Sequence, residues 1–271
     1  MANGRSIDAR GATVTPEFDE IGAYYDRLTG MSPGYAQQLY SSARLLTGVL
    51  SGRPQGLGSL VRPAGSAAGG GAPEPGGSPL RVADVGCGSG TSTQALVRAL
   101  TETGAPFEIE GIDGSAGMLA QARTKSWPGS PEASVRFRHA QAQDLVADEP
   151  RYDAIFAAYL VRNVPDKDSF LATARRLLAP GGVLVVHDYG VAGRPLDTLA
   201  WTALSWGVII PSAWVVTRRP QLFSYLWRSV LEFDSDEQLR GRLIDAGFRD
   251  VGQRPVPGWQ RGMVRATWGV V

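Results

Sequence analysis

The sequence is poor in the side chains that hold metals and disulfides. Its 271 residues include one cysteine, Cys87, and two histidines, His139 and His187. A single cysteine excludes a disulfide framework and any multi-cysteine zinc or iron–sulfur site, and two widely separated histidines make no histidine-based metal motif. We therefore expect no metal centre and a chemistry that uses an organic cofactor.

An excess of charge of one sign is also lacking, because 27 basic residues face 26 acidic ones and the net charge is +1. A nucleic-acid binder would show a basic excess or stripe, so we expect no nucleic-acid partner. Residues 1–15 contain no apolar run, which predicts a disordered tail without a secretory signal. A cytoplasmic location is the corresponding expectation.

Glycine and proline are abundant but unevenly placed. Residues 51–79 contain many of them and few apolar side chains, so this stretch cannot offset the entropy of ordering and is predicted to be a flexible loop. It separates a predicted N-terminal helical segment, residues 16–50, from a domain over residues 80–271. The apolar fraction of 43% is sufficient for a full core.

From residue 80 onward, short apolar runs alternate with stretches of helical spacing. The predicted helices cover 91–100, 116–125, 170–178 and a last one that opens with a capping box at 234–237 and stops at Gly247. The predicted strands cover 80–85, 107–112, 134–138, 154–158, 183–186, 249–254 and 261–268. This alternation predicts an α/β fold, a Rossmann-like, doubly wound, mostly parallel sheet of seven strands.

A glycine-rich turn, residues 86–90, lies directly between the first predicted strand and the first helix. Glycines at this place allow the backbone to approach a ligand, although a plain tight turn would use them too. The spacing is neither that of a dinucleotide fold nor that of a phosphate-binding loop. Asp113 ends the second strand, where its carboxylate could accept hydrogen bonds from both hydroxyls of a ribose. The pair favours a nucleoside-containing cofactor.

Residues 82–90 resemble motif I of the class I S-adenosylmethionine-dependent methyltransferases, and residues 111–119 resemble their second motif. The resemblance implies S-adenosyl-L-methionine as cofactor, with Asp84 near its amino group, Asp113 on its ribose and Gln141 in place of the acid that contacts the adenine. Cys87 is read as a small packing residue within the loop. The implied cofactor-binding set is Asp84, Gly86, Cys87, Gly88, Gly90, Asp113, Gly114, Met118, Gln141, Ala142, Gln143 and Asn163.

Residues 160–168 and 176–182 are similar to the UbiE-type C-methyltransferases of ubiquinone and menaquinone biosynthesis, and residues 18–26 and 225–248 agree. This resemblance implies methylation at carbon of a hydrophobic phenol or hydroquinone such as demethylmenaquinol. Two segments depart from the family pattern: residues 35–39 replace a basic, aromatic patch, and residues 187–189 read His-Asp-Tyr instead of Leu-Glu-Phe. An O- or N-methyltransferase of secondary metabolism, or a cofactor-binding protein that transfers no methyl group, are the alternatives.

Three residues are predicted to be catalytic. Arg162 follows the fourth strand at the edge of the sheet where ligands bind, so its guanidinium could stabilise a phenolate. His187, which ends the fifth strand, is the candidate base, and Asp188 would orient it or replace it. A salt-bridged arginine and a structural histidine are the alternatives.

The stretch from 198 to 217 carries no charge and contains Trp201, Trp206 and Trp214. It is long enough to span a membrane, but Gly207 and Pro211 weaken that interpretation. We expect a helical lid over residues 194–230 that covers a hydrophobic acceptor or touches the inner face of the membrane, with ordinary core helices as the alternative. A homodimer is a further expectation.

Overall fold

The structure, a computed structural model, describes residues 34–52, 78–127, 134–146, 152–217, 220–258 and 260–271. The predicted tail, the first part of the predicted N-terminal segment (16–33) and residues 53–77 of the predicted loop lie outside these ranges, as do Arg218 and Arg219.

Eight α-helices and seven strands follow one another in the described residues, as the alternation of patterns predicted. The helices are α1 (Tyr35–Leu50), α2 (Thr91–Thr101), α3 (Ala116–Thr124), α4 (Lys167–Leu177), α5 (Pro195–Leu204), α6 (Ile210–Thr217), α7 (Pro220–Leu231) and α8 (Asp236–Asp245). The strands are β1 (Leu80–Val85), β2 (Phe107–Asp113), β3 (Val135–His139), β4 (Tyr152–Ala158), β5 (Leu178–Tyr189), β6 (Arg249–Pro255) and β7 (Val264–Val270).

The strands form one sheet in the order β3-β2-β1-β4-β5-β7-β6. Strands β1 to β5 pair in parallel, whereas β7 is antiparallel to both β5 and β6. The predicted α/β, doubly wound, mostly parallel sheet is thereby confirmed. The chain order reverses between β1 and β4, and ligands of such sheets bind beyond the carboxyl ends of the strands at this point.

Both faces of the sheet are covered, which explains why its central strands are apolar at successive positions. On one face, β1, β4 and β5 contribute Val85, Ala157 and Val186 to a core that α4 and α8 complete. On the other face, Val82 and Phe156 belong to a second core completed by α1 and α2. Helix α1 therefore packs on the same side of the sheet as α2, next to the carboxyl ends of β4 and β5.

Element boundaries differ from prediction at several places; for example, α4 begins at Lys167 rather than residue 170, and β7 covers Val264–Val270 rather than 261–268. Strand β5 begins at Leu178 rather than Val183, because Leu178 already pairs with Tyr152 of β4, and the Pro-Gly-Gly segment lies in the irregularity of register that follows. A capping box opens α8 as predicted, but it is formed by Ser235 and Gln238, one residue later than the predicted 234–237.

The segment from 194 to 230 forms α5, a π-helical turn (Ser205–Ile209), α6 and α7. No helix in the described part of the chain is long and apolar enough to cross a membrane. Trp201 is fully buried, whereas Trp206 and Trp214 are each about half exposed. The segment therefore has both an inward and an outward apolar face.

Candidate active site

The glycine-rich turn has the backbone that its sequence predicts. Gly86, Gly88 and Gly90 all have positive φ, at 74°, 54° and 89°, a region that favours glycine. A Cβ atom on Gly86 would also come within 2.9 Å of the Leu160 side chain. The turn thus needs glycine both for its conformation and for its close approach to the segment after β4.

Asp113 ties this turn to the end of β2. Its Oδ2 accepts from the amide of Gly88 at 2.8 Å, and its Oδ1 accepts from the amide of Ser115 at 2.8 Å. Ser115 in turn caps α3 by accepting from the Met118 amide. The carboxylate therefore sits between two chain turns at the carboxyl edge of the sheet, where the sequence predicted it.

One cleft at this edge collects most of the predicted binding residues. The predicted residues that line it are Gly86, Cys87, Gly88, Asp113, Gly114, Met118, Gln141, Ala142, Gln143, Arg162 and Asn163. The predicted residues that do not line it are Asp84, Gly90, His187 and Asp188.

Asp84 lies behind the glycine turn. It is completely buried, and its Oδ2 accepts from the hydroxyls of Ser92 and Thr93 at 2.8 and 2.6 Å, in the first turn of α2. Burial raises the pKa of Asp84 to about 7. Gly90 caps α2, and a Cβ there would lie 3.0 Å from the Trp127 ring. Both residues therefore support the turn from outside the cleft.

Arg162 and Asp188 form a buried ion pair at the edge of the cleft. The Nη1 atom of Arg162 lies 2.7 Å from Oδ1 of Asp188, and the two side chains are 8% and 1% exposed. The guanidinium also lies 5.5 Å from the ring centres of Tyr159 and Tyr189, within cation–π range. Asp188 thus pairs with Arg162, whereas the sequence analysis predicted that it would orient His187 or replace it as the base.

His187 is enclosed between α1 and the end of β4. It is fully buried, its Nδ1 lies 2.8 Å from Oγ of Ser42, and its ring meets that of Tyr159 edge to face at 4.7 Å. Burial, with a smaller contribution from the Arg162 charge, lowers the pKa of His187 to about 3. An imidazole with this pKa is neutral and a weak proton acceptor at neutral pH, which argues against the predicted role of general base.

Two tyrosines that were not among the predicted site residues line the cleft. Tyr159, directly after β4, has a φ of 54°, which is uncommon for a residue other than glycine and occurs often at functional sites. The Tyr35 ring of α1 stacks on it at 5.7 Å with an angle of 11° between the planes. The position of Tyr159 at the end of an apolar strand was the available signal, whereas Tyr35 comes from a distant segment.

The helices of the 194–230 segment reach this site. The hydroxyl of Tyr225 in α7 donates to Oδ1 of Asn163 at 3.3 Å, and the Asn163 amide donates to the carbonyl of Tyr159 at 3.1 Å. In addition, the Tyr189 ring contacts the buried Trp201 ring at 4.7 Å. An aromatic row of Tyr35, Tyr159, Tyr189 and Trp201 thus runs from the cleft to α5.

Comparison with known proteins agrees with this geometry. The model of the ubiE/COQ5 methyltransferase family matches residues 73–269. The chain belongs to this family. It is 26% identical over 236 residues to the ubiquinone/menaquinone biosynthesis C-methyltransferase UbiE of Pseudomonas aeruginosa, covering 87% of this chain and 80% of that one. It is 29% identical over 178 residues to UbiE of Stutzerimonas stutzeri, covering 66% and 68%.

Solved structures with the same fold are also methyltransferases. A possible histamine N-methyltransferase from Thermotoga maritima superposes with a TM-score of 0.55 at 16% identity, covering 95% of this chain and 99% of that one. The plantazolicin methyltransferase BpumL, in complex with a monoazolic desmethylPZN analog and SAH, gives a TM-score of 0.57 at 12% identity, covering 94% of this chain and 90% of that one. At these identities the likeness supports the fold.

The residues of the cleft fit S-adenosyl-L-methionine. A Cβ atom on Gly114 would lie 2.5 Å from Oε1 of Gln141, so the chain is closely packed where the adenine is predicted to bind. The Asp113 carboxylate lies on the cleft between the glycine turn and Gly114. With the family established, the protein is an S-adenosyl-L-methionine-dependent methyltransferase.

Proposed function

We propose that this methyltransferase methylates a ring carbon of a hydrophobic phenol or hydroquinone, with demethylmenaquinol as the first acceptor to test. The observation that carries the proposal is the pairing of Arg162 with Asp188 next to the adjoining rings of Tyr159 and Tyr189, beside the cofactor cleft. Aromatic walls suit a flat apolar ring, and a cation among them suits the oxygen of that ring.

We also propose the cofactor contacts residue by residue. The glycine turn, with Gly86, Cys87 and Gly88, would hold the methionine part, Asp113 the ribose, and Met118 and Gln141 the adenine. Gly114, Ala142, Gln143 and Asn163 complete the walls. When bound, the cofactor supplies an electrophilic methyl group on its sulfonium.

The protein's own task in such a reaction is to orient the acceptor and to stabilise its oxyanion. The Arg162 guanidinium, held in place by Asp188, presents a fixed positive charge at the cleft. Because Asp188 already compensates this charge, the attraction to a phenolate is weaker than that of an isolated cation. Tyr159, stacked against Tyr35, fixes the plane of the aromatic wall.

The decisive experiment incubates the purified protein with methyl-labelled S-adenosylmethionine and demethylmenaquinol and detects the product by mass spectrometry. Formation of menaquinol, in which the labelled methyl group has replaced one ring hydrogen of demethylmenaquinol, supports the proposal. Cofactor binding without this product, together with methylation of small phenols at oxygen, would instead support the alternative of a secondary-metabolite O-methyltransferase. Cofactor binding without transfer to any acceptor would support a binding protein.

We further propose that the 194–230 segment is a lid that contacts the inner face of the membrane. Its exposed apolar side chains support this: Leu196, Leu199, Trp206, Val208 and Trp214 are each more than half exposed. Exposed tryptophan and leucine on helices are typical of interfacial contact. Sedimentation with lipid vesicles tests this, and replacement of Trp206 and Trp214 by serine should abolish co-sedimentation. The cytoplasmic location and the homodimer stay predictions.

A further inference from the structure

The inward face of α1 carries a polar row beside the aromatic wall of the cleft. Tyr35, Gln38 and Ser42 follow one another at helical spacing, so their side chains lie on one face about a turn apart. Tyr35 lines the cleft, and Ser42 contacts His187. Along α1, Gln38 therefore lies between the residue that lines the cleft and the residue that contacts the imidazole, and a Cβ on Gly258 would be 3.4 Å from its Nε2.

Two polar atoms of this row and one of the imidazole that it contacts are buried with no hydrogen-bond partner among the described residues: Oε1 and Nε2 of Gln38, and Nε2 of His187. Gln38 is 1% exposed and His187 is not exposed at all. A buried polar group without a partner costs about 1–3 kcal/mol, so most proteins avoid it unless a ligand or another group completes it. Ser42 already holds Nδ1 of His187, which leaves Nε2 as the only polar ring atom for another partner.

We infer that Gln38 and His187 are specificity-determining residues that hydrogen-bond an oxygen of the aromatic acceptor. A hydroxyl both donates and accepts, the amide of Gln38 offers an acceptor and a donor, and His187 offers its one remaining ring nitrogen. A neutral hydroxyl group that entered from the side of Tyr159 would supply the hydrogen bonds that these atoms lack. This inference rests on the proposed function, and the feature that the two residues would recognise is a hydroxyl group on the acceptor ring.

The chemistry of the pair selects a neutral oxygen rather than an anion or a cation. Neither side chain is charged at neutral pH, since the pKa of His187 is lowered by burial. The charge of Arg162 is directed toward Asp188 at the cleft edge. Two oxygens of one ring could therefore be distinguished, one held near Arg162 and the other held by Gln38 and His187.

Two acceptors that differ by one oxygen test the inference: 1,4-naphthalenediol and 1-naphthol, supplied under anaerobic conditions. For the wild-type protein saturated with S-adenosylhomocysteine, calorimetry should give a Kd for the diol about tenfold below that for the mono-ol, the effect of one well-paired hydroxyl. Gln38→Leu and His187→Phe should reduce this ratio to about one, while their affinity for S-adenosylhomocysteine stays unchanged. Gln37→Leu, at the exposed neighbour on the same helix, is the matched control and should keep the wild-type ratio.

The thermal stability of Gln38→Leu separates recognition from a structural role. If the amide serves a ligand, its removal relieves a buried unpaired group and the midpoint of unfolding should not fall, although discrimination is lost. A lower midpoint with an unchanged diol preference would overturn the inference, since Gln38 would then be satisfied by internal water. A wild-type protein that binds S-adenosylhomocysteine but neither naphthol would overturn the proposed function along with it. Methylation of demethylmenaquinol with a diol preference unchanged in both variants would overturn the inference alone.

Discussion

The Nη1 atom of Arg162 lies 2.7 Å from Oδ1 of Asp188, and this contact joins the turn after β4 to the end of β5. Asp188 also accepts from the backbone amides of Arg162 and Tyr189, at 3.4 and 2.9 Å. The carboxylate therefore fixes both the direction of the guanidinium and the backbone that carries it. Asp188 thus restricts the Arg162 side chain to one position at the edge of the cleft.

Replacing Arg162 by lysine should slow methyl transfer without loosening the cofactor. Lysine keeps the charge but loses the planar fork that bridges Asp188 and the two tyrosine rings. We expect kcat to fall by about tenfold to a hundredfold and Kd for S-adenosylhomocysteine to stay within about twofold. The measurement is steady-state turnover beside calorimetry, with Arg136→Lys on the exposed side of β3 as control. Equal losses in turnover and cofactor affinity would argue against a role on the acceptor side.

Replacing Asp188 by asparagine should destabilise the fold, because a buried guanidinium then lacks its counter-charge. Such breaks cost about 3 kcal/mol, whereas removing both charges together is close to neutral. Urea unfolding should therefore show a large loss for Asp188→Asn and a smaller one for the double variant with Arg162→Met. A double variant less stable than Asp188→Asn would contradict the ion-pair account.

The stability of the protein should fall below neutral pH partly through His187. Its pKa of about 3 in the folded state lies below the ordinary value of 6.5, so the unfolded chain binds a proton between these values and the folded one does not. The free energy of unfolding is therefore unaffected by this group above pH 6.5. Between pH 6.5 and pH 3 it decreases by about 1.4 kcal/mol for each unit by which the pH falls. Urea unfolding at pH 7 and pH 5.5 measures it. His187→Phe should show a shallower loss than wild type, and an identical pH slope would show that folding does not lower the pKa of His187.

Asp84 should act in the opposite direction. Its folded pKa of about 7 lies above the ordinary 3.8, so the folded protein holds a proton that the unfolded chain releases, and stability declines as pH rises between these values. Asp84→Asn removes this decline and should raise the midpoint of unfolding at pH 7.5 more than at pH 5. Thermal denaturation at both values checks it, against the exposed Asp144→Asn. A gain that is the same at both pH values would contradict a buried, protonated carboxyl.

Asp113→Ala should raise Kd for S-adenosylhomocysteine by about a hundredfold, because the variant loses the proposed ribose contact and the two bonds that hold the Gly88 and Ser115 amides. Asp113→Asn, which keeps one oxygen acceptor, should give an intermediate value. Calorimetry provides the numbers. Unchanged affinity in the alanine variant would remove Asp113 from the cofactor site.

Local patterns in the sequence carry the fold and the cofactor half of the site. The Gly86, Gly88 and Gly90 spacing and the carboxylate of Asp113 are contiguous with β1 and β2, so a short stretch of chain contains both the groups proposed to bind the cofactor and the strands that position them. The parallel order of β1 and β2 then brings the two turns together, as the contact between Gly88 and Asp113 shows.

The acceptor side depends on contacts that no local pattern encodes. Ser42 and His187 are 145 residues apart in sequence, and only the packing of α1 on β5 places their side chains in contact. Burial there is what lowers the pKa of His187 and turns a predicted base into a neutral hydrogen-bonding group. Likewise, Asp188 was predicted to serve His187, but successive strand residues point to opposite faces, so it meets Arg162 instead. The sequence by itself thus determined the sheet and the cofactor turn, whose groups are neighbours along the chain, while tertiary packing decided the partners and protonation of the acceptor-side residues, since both depend on burial between distant segments.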